Sequence, residues 1–335
     1  MRNLRAPRAD GTGAEVAPAR IGRRALVLAA AALAPGACAP PQAPTSVLKV
    51  ASQKGSTRAV LQASGALAGL TYRIDWSEFG AAAPLLEALS AGAADVGAVG
   101  DAPFIYAYAA GGRIRAVTAL EASASGASVA VVVPKGSPAM SVSDLRGRRV
   151  ATGKGSVGHY LLLRLLDRAG LPFSAVETVF MTPGDCKAAL DRGAVDAWST
   201  WSPYIGLATL HGGARVLADG RGLFAGYSFM AAGEAAIRDK HAPLQDFLRR
   251  LAAAYRWALA HPDLYAAALA RDTGLPLDAA LDQVHRQSAT LAPLTAKVVQ
   301  LEQATLDLYR RAGVAAAGRM DLTAAFDPSF NGAVG

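Results

Sequence analysis

The chain has 335 residues, 52% of them apolar and 18% charged, which supplies a packed core for one large or two medium domains and excludes disorder as the default. The formal net charge is +8, but residues 1–46 hold six arginines against Asp10 and Glu15 and so account for half of it. No Lys/Arg-rich run with interleaved aromatic residues follows residue 46, so a nucleic-acid surface is excluded as the origin of the charge and a mild bias toward small anions is left.

The first segment reads as an address. Arg23-Arg24 precede an apolar run from Ala25 to Ala34 and then Pro35-Gly36-Ala37-Cys38; the run is too short for a stable bilayer-spanning helix, and residues 1–38 are expected to be an export signal delivering the chain to the periplasm. The paired arginines suit a twin-arginine signal, although Gly22 before them and Ala25-Leu26 after them match it loosely. Cys38, preceded by two small residues, is similar to a lipoprotein processing site, while Pro35 stands where a Leu-like residue is usual. Lipidation of Cys38, which would anchor the chain to a membrane, and a protease cut near Ala39 are both open. Residues 39–46 read as an extended tether. Cys186 is then left without a partner, so the mature chain has no disulfide framework and must hold together through its core.

From Val47 onward, short strand-like runs alternate with helical ones, the pattern of parallel α/β units. Strands are predicted at Leu48–Ala51, Tyr72–Trp76, Asp95–Val99, Val129–Val133, Arg149–Ala151, Val179–Met181, Ala194–Trp198 and Val216–Ala218. Helices are predicted at Thr57–Ala68, Ala82–Ser90, Val157–Ala169 and Pro183–Arg192, the last beginning with Thr182 as N-cap, Pro183 in the first turn and Asp185 as a first-turn acid. Past about residue 233 strands are expected to stop, giving a helical tail to Arg311 broken near Pro243, Pro262, Pro276 and Pro293.

An internal echo organises this pattern. Val50-Ala51-Ser52-Gln53-Lys54-Gly55-Ser56 returns as Val150-Ala151-Thr152-Gly153-Lys154-Gly155-Ser156, and Leu89, Gly92, Ala93 and Asp95 return in the same order as Leu190, Gly193, Ala194 and Asp196. So long a period implies two similar α/β lobes, each opening with strand, Lys-Gly-Ser turn and helix. Ligand crevices in open α/β sheets lie beyond the carboxyl ends of the strands, so both turns are expected to face one shared cleft. Each turn offers backbone N–H groups at a helix start, a hydroxyl, and a glycine that lets an anion approach the main chain. The bland reading is a tight turn and no more; the duplication weighs against it. Lys54 and Lys154 fit ligand contact and a solvated charge equally well.

Further cleft candidates follow from position. Residues 153–158 also fit Gly-x-Gly-x-x-Gly, but Glu177 precedes the next strand instead of ending it and the first copy lacks the pattern, so no nicotinamide or flavin cofactor is expected. His159, one turn from an anion-binding helix start, could donate to the ligand; helix histidines more often pack or face solvent. Gly100 and Asp101 leave a strand at the cleft edge, where Asp101 could also cap the helix begun by Pro103. Trp198, Trp201 and Tyr204, with Pro203 shaping the turn, suit an apolar cover for a carbon tail, and Tyr227 could close the pocket. The five histidines are scattered without metal-ligand spacing, so no metal is implied. There is no Gly-x-Ser-x-Gly elbow or Walker loop, and Cys186 with His159 is the one conceivable nucleophile and base pair.

These residues resemble the aliphatic-sulfonate-binding proteins of ABC importers, within the wider taurine-, nitrate- and thiamine-precursor-binding group. The resemblance runs from about Val47 to Ala232 and rests on Gln53-Lys54-Gly55-Ser56, Trp76-Ser77-Glu78-Phe79, Leu86-Glu87-Ala88-Leu89, Gly100-Asp101, Asp144-Leu145-Arg146-Gly147, Gly153-Lys154-Gly155-Ser156 with His159, and Asp196-Ala197-Trp198 leading to Trp201-Ser202-Pro203-Tyr204. It implies an α/β two-lobe periplasmic-binding-protein fold of type II, with crossovers near 121–130 and 222–228: lobe 1 from 47–125, lobe 2 from 126–224, and a return to lobe 1 over 225–335. It implies ligand contacts from Gln53, Lys54, Gly55 and Ser56, from Phe79 and Gly80, from Gly100 and Asp101, from Gly155, Ser156, Val157, Gly158 and His159, and from Trp198. Trp201 and Tyr227 join them on position alone. The expected partners are a small anion, a sulfonate before others, and an ABC permease in the inner membrane, with the chain itself a monomer. Two departures bear on the ligand. Ser202 stands where similar sulfonate binders usually have Asp, which makes the pocket less negative and tilts it against an amino-bearing ligand, and Tyr160 replaces a smaller polar residue. Sulfinate desulfinases and thiamine-pyrimidine synthases share the scaffold, but the cleft cysteine of the first and the Cys-rich motif of the second have no counterpart here.

Overall fold

The structure, a computed structural model, describes residues 46–53, 56–318 and 320–334. The expectations for the export signal over 1–38, Cys38, the tether up to residue 45, Lys54 and Gly55 lie outside the described residues.

Two mixed sheets carry the fold. The first is built from β1 (Val47–Gln53), β2 (Arg73–Phe79), β3 (Val96–Gly100), β4 (Ile114–Ala122), β10 (Tyr227–Gly233) and β11 (Ala289–Ala292) in the order β11-β4-β10-β3-β1-β2. The second holds β5 (Val129–Pro134), β6 (Arg149–Thr152), β7 (Glu177–Phe180), β8 (Ala197–Trp201) and β9 (Ala214–Asp219) in the order β7-β6-β8-β5-β9. In both, the opening strand lies parallel between two neighbours, β1 between β2 and β3, β6 between β7 and β8. In both, a strand that has just entered from the other lobe runs antiparallel beside the third: β10 against β3, β5 against β8. The sequence echo is thus an echo of topology.

The chain passes between the sheets twice, over 123–128 and over 220–226. These two segments bond to each other, Gly220 N donating to Gly126 O at 3.1 Å and Ser125 Oγ to Phe224 O at 2.9 Å. Two short, mutually bonded links suit rotation of one lobe against the other better than separation.

Helices flank both sheets: α1 (Ser56–Ala63), α2 (Ala82–Ser90) and α3 (Asp101–Ala109) in the first lobe, and α4 (Val157–Arg168), α5 (Pro183–Asp191) and α6 (Tyr204–Leu210) in the second. The return to the first lobe adds α7 (Glu234–Asp239), α8 (His241–Ala260), α9 (Pro262–Thr273), α10 (Leu277–Arg286) and α11 (Ala296–Arg311). The starts follow local chemistry. Thr182 Oγ1 accepts the Asp185 amide ahead of α5, and Ser156 Oγ accepts the His159 amide ahead of α4. Among the described residues no helix is long and apolar enough to cross a membrane.

Several expectations are corrected. β4 and β10 are strands that the sequence pattern does not announce, because both are buried almost throughout and show no period-two alternation. Strands do not stop at residue 233: β11 pairs with the outer side of β4 over Ala289–Ala292. The break expected near Pro243 falls at Lys240, between α7 and α8, and Pro243 itself occupies the first turn of α8, where its missing N–H costs nothing. α1 ends at Ala63, five residues early, and gives way to turns over 64–69. β8 begins at Ala197, three residues later than predicted, which moves Trp198 from the strand's carboxyl end to its interior.

Candidate functional site

A cleft of about 1030 Å³ lies between the lobes, beyond the carboxyl ends of β1, β3, β6 and β8. The first lobe brings Gln53, Ser56, Gly80, Gly100, Asp101 and Tyr227 to its wall. The second brings Gly155, Ser156, Val157 and Trp201. Lys154, weighed as solvent-facing or ligand-facing, also lines it while staying exposed.

The lobes are closed on one another. Tyr204 Oη of the second donates to Gly80 O of the first at 2.8 Å, and Tyr309 Oη, on α11, donates to Gly155 O at 3.2 Å. Two glycines set how near they come. A Cβ on Gly100 would meet Val157 Cγ1 at 2.5 Å, and one on Gly155, whose φ is +69°, would run into the Tyr106 ring. Only glycine fits at these points of contact.

The second turn is wired differently from the expectation of free N–H groups. Gly155 N donates to His159 Nδ1 at 3.2 Å, and Ser156 N donates to Gly153 O at 3.1 Å. An Nδ1 that accepts leaves the ring hydrogen on Nε2. Burial first, and the Lys154 charge second, pull His159 down to about 4, so it is neutral at ordinary pH. Its ring lies edge-on to Phe180 at 4.9 Å and near Tyr309. What the turn still presents to the cleft is the Ser156 hydroxyl, the Lys154 ammonium and, at the first helical position, the Val157 amide, which has no acceptor in its own helix. In the first lobe Ser56 Oγ donates to Gln53 O at 3.2 Å, and Gln53 Nε2 donates to Ala98 O at 2.9 Å.

Four predicted contacts are not on the cleft wall. Trp198 is fully buried, packed with Tyr204 in the core behind it, because β8 starts three residues late; Trp201 takes the edge position intended for it. Gly158 is buried against β8, its carbonyl taking a hydrogen bond from Ser199 Oγ at 2.6 Å. His159 supports the turn from within, and Phe79 packs among first-lobe core residues while its neighbour Gly80 reaches the cleft.

Asp101 is buried at the start of α3 and lines the cleft. Burial pushes its carboxyl up to about 7. Glu302, on α11, is wholly buried, and its acidity is suppressed further, by burial first and by Asp101 second. The pair sits where α3 and α11 meet α4, with Tyr106, Tyr160 and Tyr309 around it.

Sequence reasoning missed Phe180, Gln283 and Gln287, all on the cleft wall. The glutamines had a signal: Gln283 falls in phase with the buried Ala279, Ala280 and Val284 of α10, where an apolar residue is expected. Cys186, the one conceivable nucleophile, is buried in the second-lobe core with its thiol pushed up to about 12 by burial, so it stays protonated.

Comparisons with known proteins agree with this architecture. The family described as NMT1/THI5 like matches residues 78–264. The "Putative aliphatic sulfonates-binding protein" of Escherichia coli (strain K12) is 39% identical over 266 residues, covering 78% of this chain and 83% of its own length. The alkanesulfonate-binding protein SsuA from Xanthomonas axonopodis pv. citri bound to MOPS superposes with a TM-score of 0.78 at 30% identity, over 85% of this chain and 99% of that one. The periplasmic aliphatic sulphonate binding protein SsuA from Escherichia coli superposes with a TM-score of 0.71 at 36% identity, over 81% of this chain and 94% of that one. A Candida albicans protein with the generic periplasmic binding protein fold shares the fold at 14% identity, with a TM-score of 0.70 over 84% of this chain and 96% of that one.

Proposed function

From the premise that this chain belongs to the NMT1/THI5-like family, we propose that it is the solute-binding component of an ABC importer and captures an organosulfonate for uptake as a sulfur source. The observation that carries the reading is the convergence of two repeated strand-turn-helix openings, ending in Ser56 and Ser156, on one cleft. A sulfonate is permanently ionised and tetrahedral, so helix-start amides, hydroxyls and one ammonium suffice to hold it without a buried ion pair.

The mechanism is closure by rotation about the two crossovers. Contacts across the cleft, such as Tyr204 to Gly80, exist only when the lobes meet, so a ligand touching both lobes shifts the population toward the closed form. The closed form then offers a surface spanning both lobes to a permease in the inner membrane. The residues proposed to hold the ligand are Gln53, Ser56, Gly80, Gly100, Asp101, Lys154, Ser156, Val157, Trp201 and Tyr227, with His159 in support. Periplasmic residence as a monomer fits the reading, through a twin-arginine signal and with Cys38 as the candidate lipid anchor.

A thermal-shift screen tests it. An alkane- or arylsulfonate should raise the melting temperature while its carboxylate counterpart does not, because a ligand that binds only the native state stabilises it. No stabilisation by any sulfonate in the panel would overturn the substrate class.

A further inference from the structure

At the carboxyl end of β8 the cleft extends to α10, and a chain of hydrogen bonds there has a fixed direction. Gln287 Nε2 donates to Ser202 O at 3.3 Å, and Gln283 Nε2 donates to Gln287 Oε1 at 3.0 Å. A backbone carbonyl only accepts, so both amides are oriented by it, and the chain ends on Gln283 Oε1 as an acceptor. Among the described residues that oxygen has no hydrogen-bond partner, and neither does Ser202 Oγ beside the start of the chain. Both residues line the cleft and both are almost completely buried, Gln283 at 3% exposure and Ser202 at 2%. Buried polar atoms are nearly always bonded, and orphans on a ligand cleft are where a ligand completes the set.

Charge narrows the class of group. Among the described cleft residues from the end of β8 and from α10 none is acidic, and the one ionised group, Arg286, bonds Asp282 at 2.8 Å and the Ala127 carbonyl at 3.1 Å. An ammonium would sit beside a guanidinium with no carboxylate of its own. A neutral hydroxyl suits either orphan, because it can donate to Gln283 Oε1 or exchange a hydrogen bond with Ser202 Oγ.

We propose that Gln283 and Ser202 form a tail subsite that selects an organosulfonate carrying a neutral hydroxyl at the end remote from its sulfur. This rests on the sulfonate reading given above. The volume of the cleft, about 1030 Å³, leaves room for a ligand that reaches from the Ser56 and Ser156 turns to α10.

The test is calorimetric titration of the protein with alkanesulfonates of increasing length, each paired with its terminal hydroxy and terminal amino counterparts. At the length that spans the cleft the hydroxy compound should bind about tenfold more tightly than the plain one, and the amino compound more weakly than the hydroxy one. Gln283→Leu and Ser202→Ala should each shrink the hydroxyl advantage while leaving plain alkanesulfonate affinity unchanged or improved, which also reports that the variant is folded. Alkanesulfonates that bind with no hydroxyl advantage at any length, or an advantage that survives in both variants, would overturn the subsite alone. Silence from every sulfonate would overturn the substrate class, and the subsite with it.

Discussion

Asp95 and Asp196 make the same hydrogen bond in the two lobes: Asp95 Oδ2 accepts the Lys49 amide at 2.6 Å, and Asp196 Oδ2 accepts the Arg149 amide at 2.8 Å. Each carboxylate stands just before the third strand of its sheet and latches the amide of the first, while its own amide bonds that residue's carbonyl. The surroundings differ. Asp95 is buried and also bonds Lys240 Nζ at 2.6 Å, whereas Asp196 is more exposed and has Arg148 only at 3.9 Å. Asp95→Ala should therefore cost about 3 kcal/mol, because it leaves the Lys49 strand amide without its buried carboxylate and Lys240 with only the Val47 carbonyl, and Asp196→Ala about 1 kcal/mol. Urea unfolding of the two variants measures the gap, and equal losses would contradict the assignment.

Ser156 both caps α4 and lines the cleft, and two substitutions separate those roles. Ser156→Ala should cost about 1 kcal/mol of stability through the lost cap. Ser156→Asp keeps a capping oxygen and so should melt close to the parent, but sets a negative charge where the anion is held. Its sulfonate affinity should fall by roughly a hundredfold or more in titration.

Closure can be weakened by a single atom. Tyr204→Phe removes the bond to Gly80 O while keeping the ring against Trp198 and Trp201. Burial pushes the Tyr204 phenol up to about 12, so at neutral pH it is a donor throughout. Ligand affinity should drop about three- to tenfold, with small-angle scattering showing a larger open fraction at the same ligand concentration.

Two buried titrations act against each other. Asp101, raised from 3.8 to about 7 by burial, contributes stability that is complete below pH 3.8 and is lost as pH rises through about 7, and Glu302 acts in the same sense. His159, lowered from 6.5 to about 4, contributes stability that is complete above pH 6.5 and is lost as pH falls through about 4. Each group contributes a slope of about 1.4 kcal/mol per pH unit where it titrates, so from about pH 4 to 6.5 the histidine offsets one of the two carboxyls and leaves the other's fall in stability with rising pH in the ligand-free protein. Asp101→Asn with Glu302→Gln should leave the histidine slope, with stability falling on acidification. His159→Gln should leave the carboxyl slope, with stability rising. Denaturation midpoints across this range decide it, and parallel profiles for parent and variants would refute the pairing.

The two-lobe plan was legible because the chain states it twice: Gln53 and Ser56 in one lobe and the Gly153–Ser156 turn in the other, the Leu89/Gly92/Asp95 echo and their flanking strands sit where the repeat implies. What stayed hidden was whatever depends on partners distant in sequence. β4 and β10 are buried on both faces and so lack alternation, and the short β11 is a strand only because β4 offers it an edge. Within the site, Gln53, Ser56, Gly155 and Ser156 line the cleft at or beside turns, whose position local chemistry fixes. Trp198 was misplaced by a slip of three residues in one strand start, enough to carry an indole from wall to core. Gln283 and Gln287 reach the cleft from a helix far along the chain, and nothing near them in sequence announces where α10 will dock.

The position of β10 between β3 and β4 bears on the order in which the molecule assembles. The five strands of the second sheet come from one unbroken stretch, Val129–Asp219, whereas the first sheet has a gap at its centre until residues 227–233 are available to fill it. Contiguous pairings close shorter loops and form sooner. The middle of the chain should thus acquire native structure first, while β3 and β4 wait with unpaired edges. Those two edges are the surfaces on which an interrupted or slowed chain would aggregate.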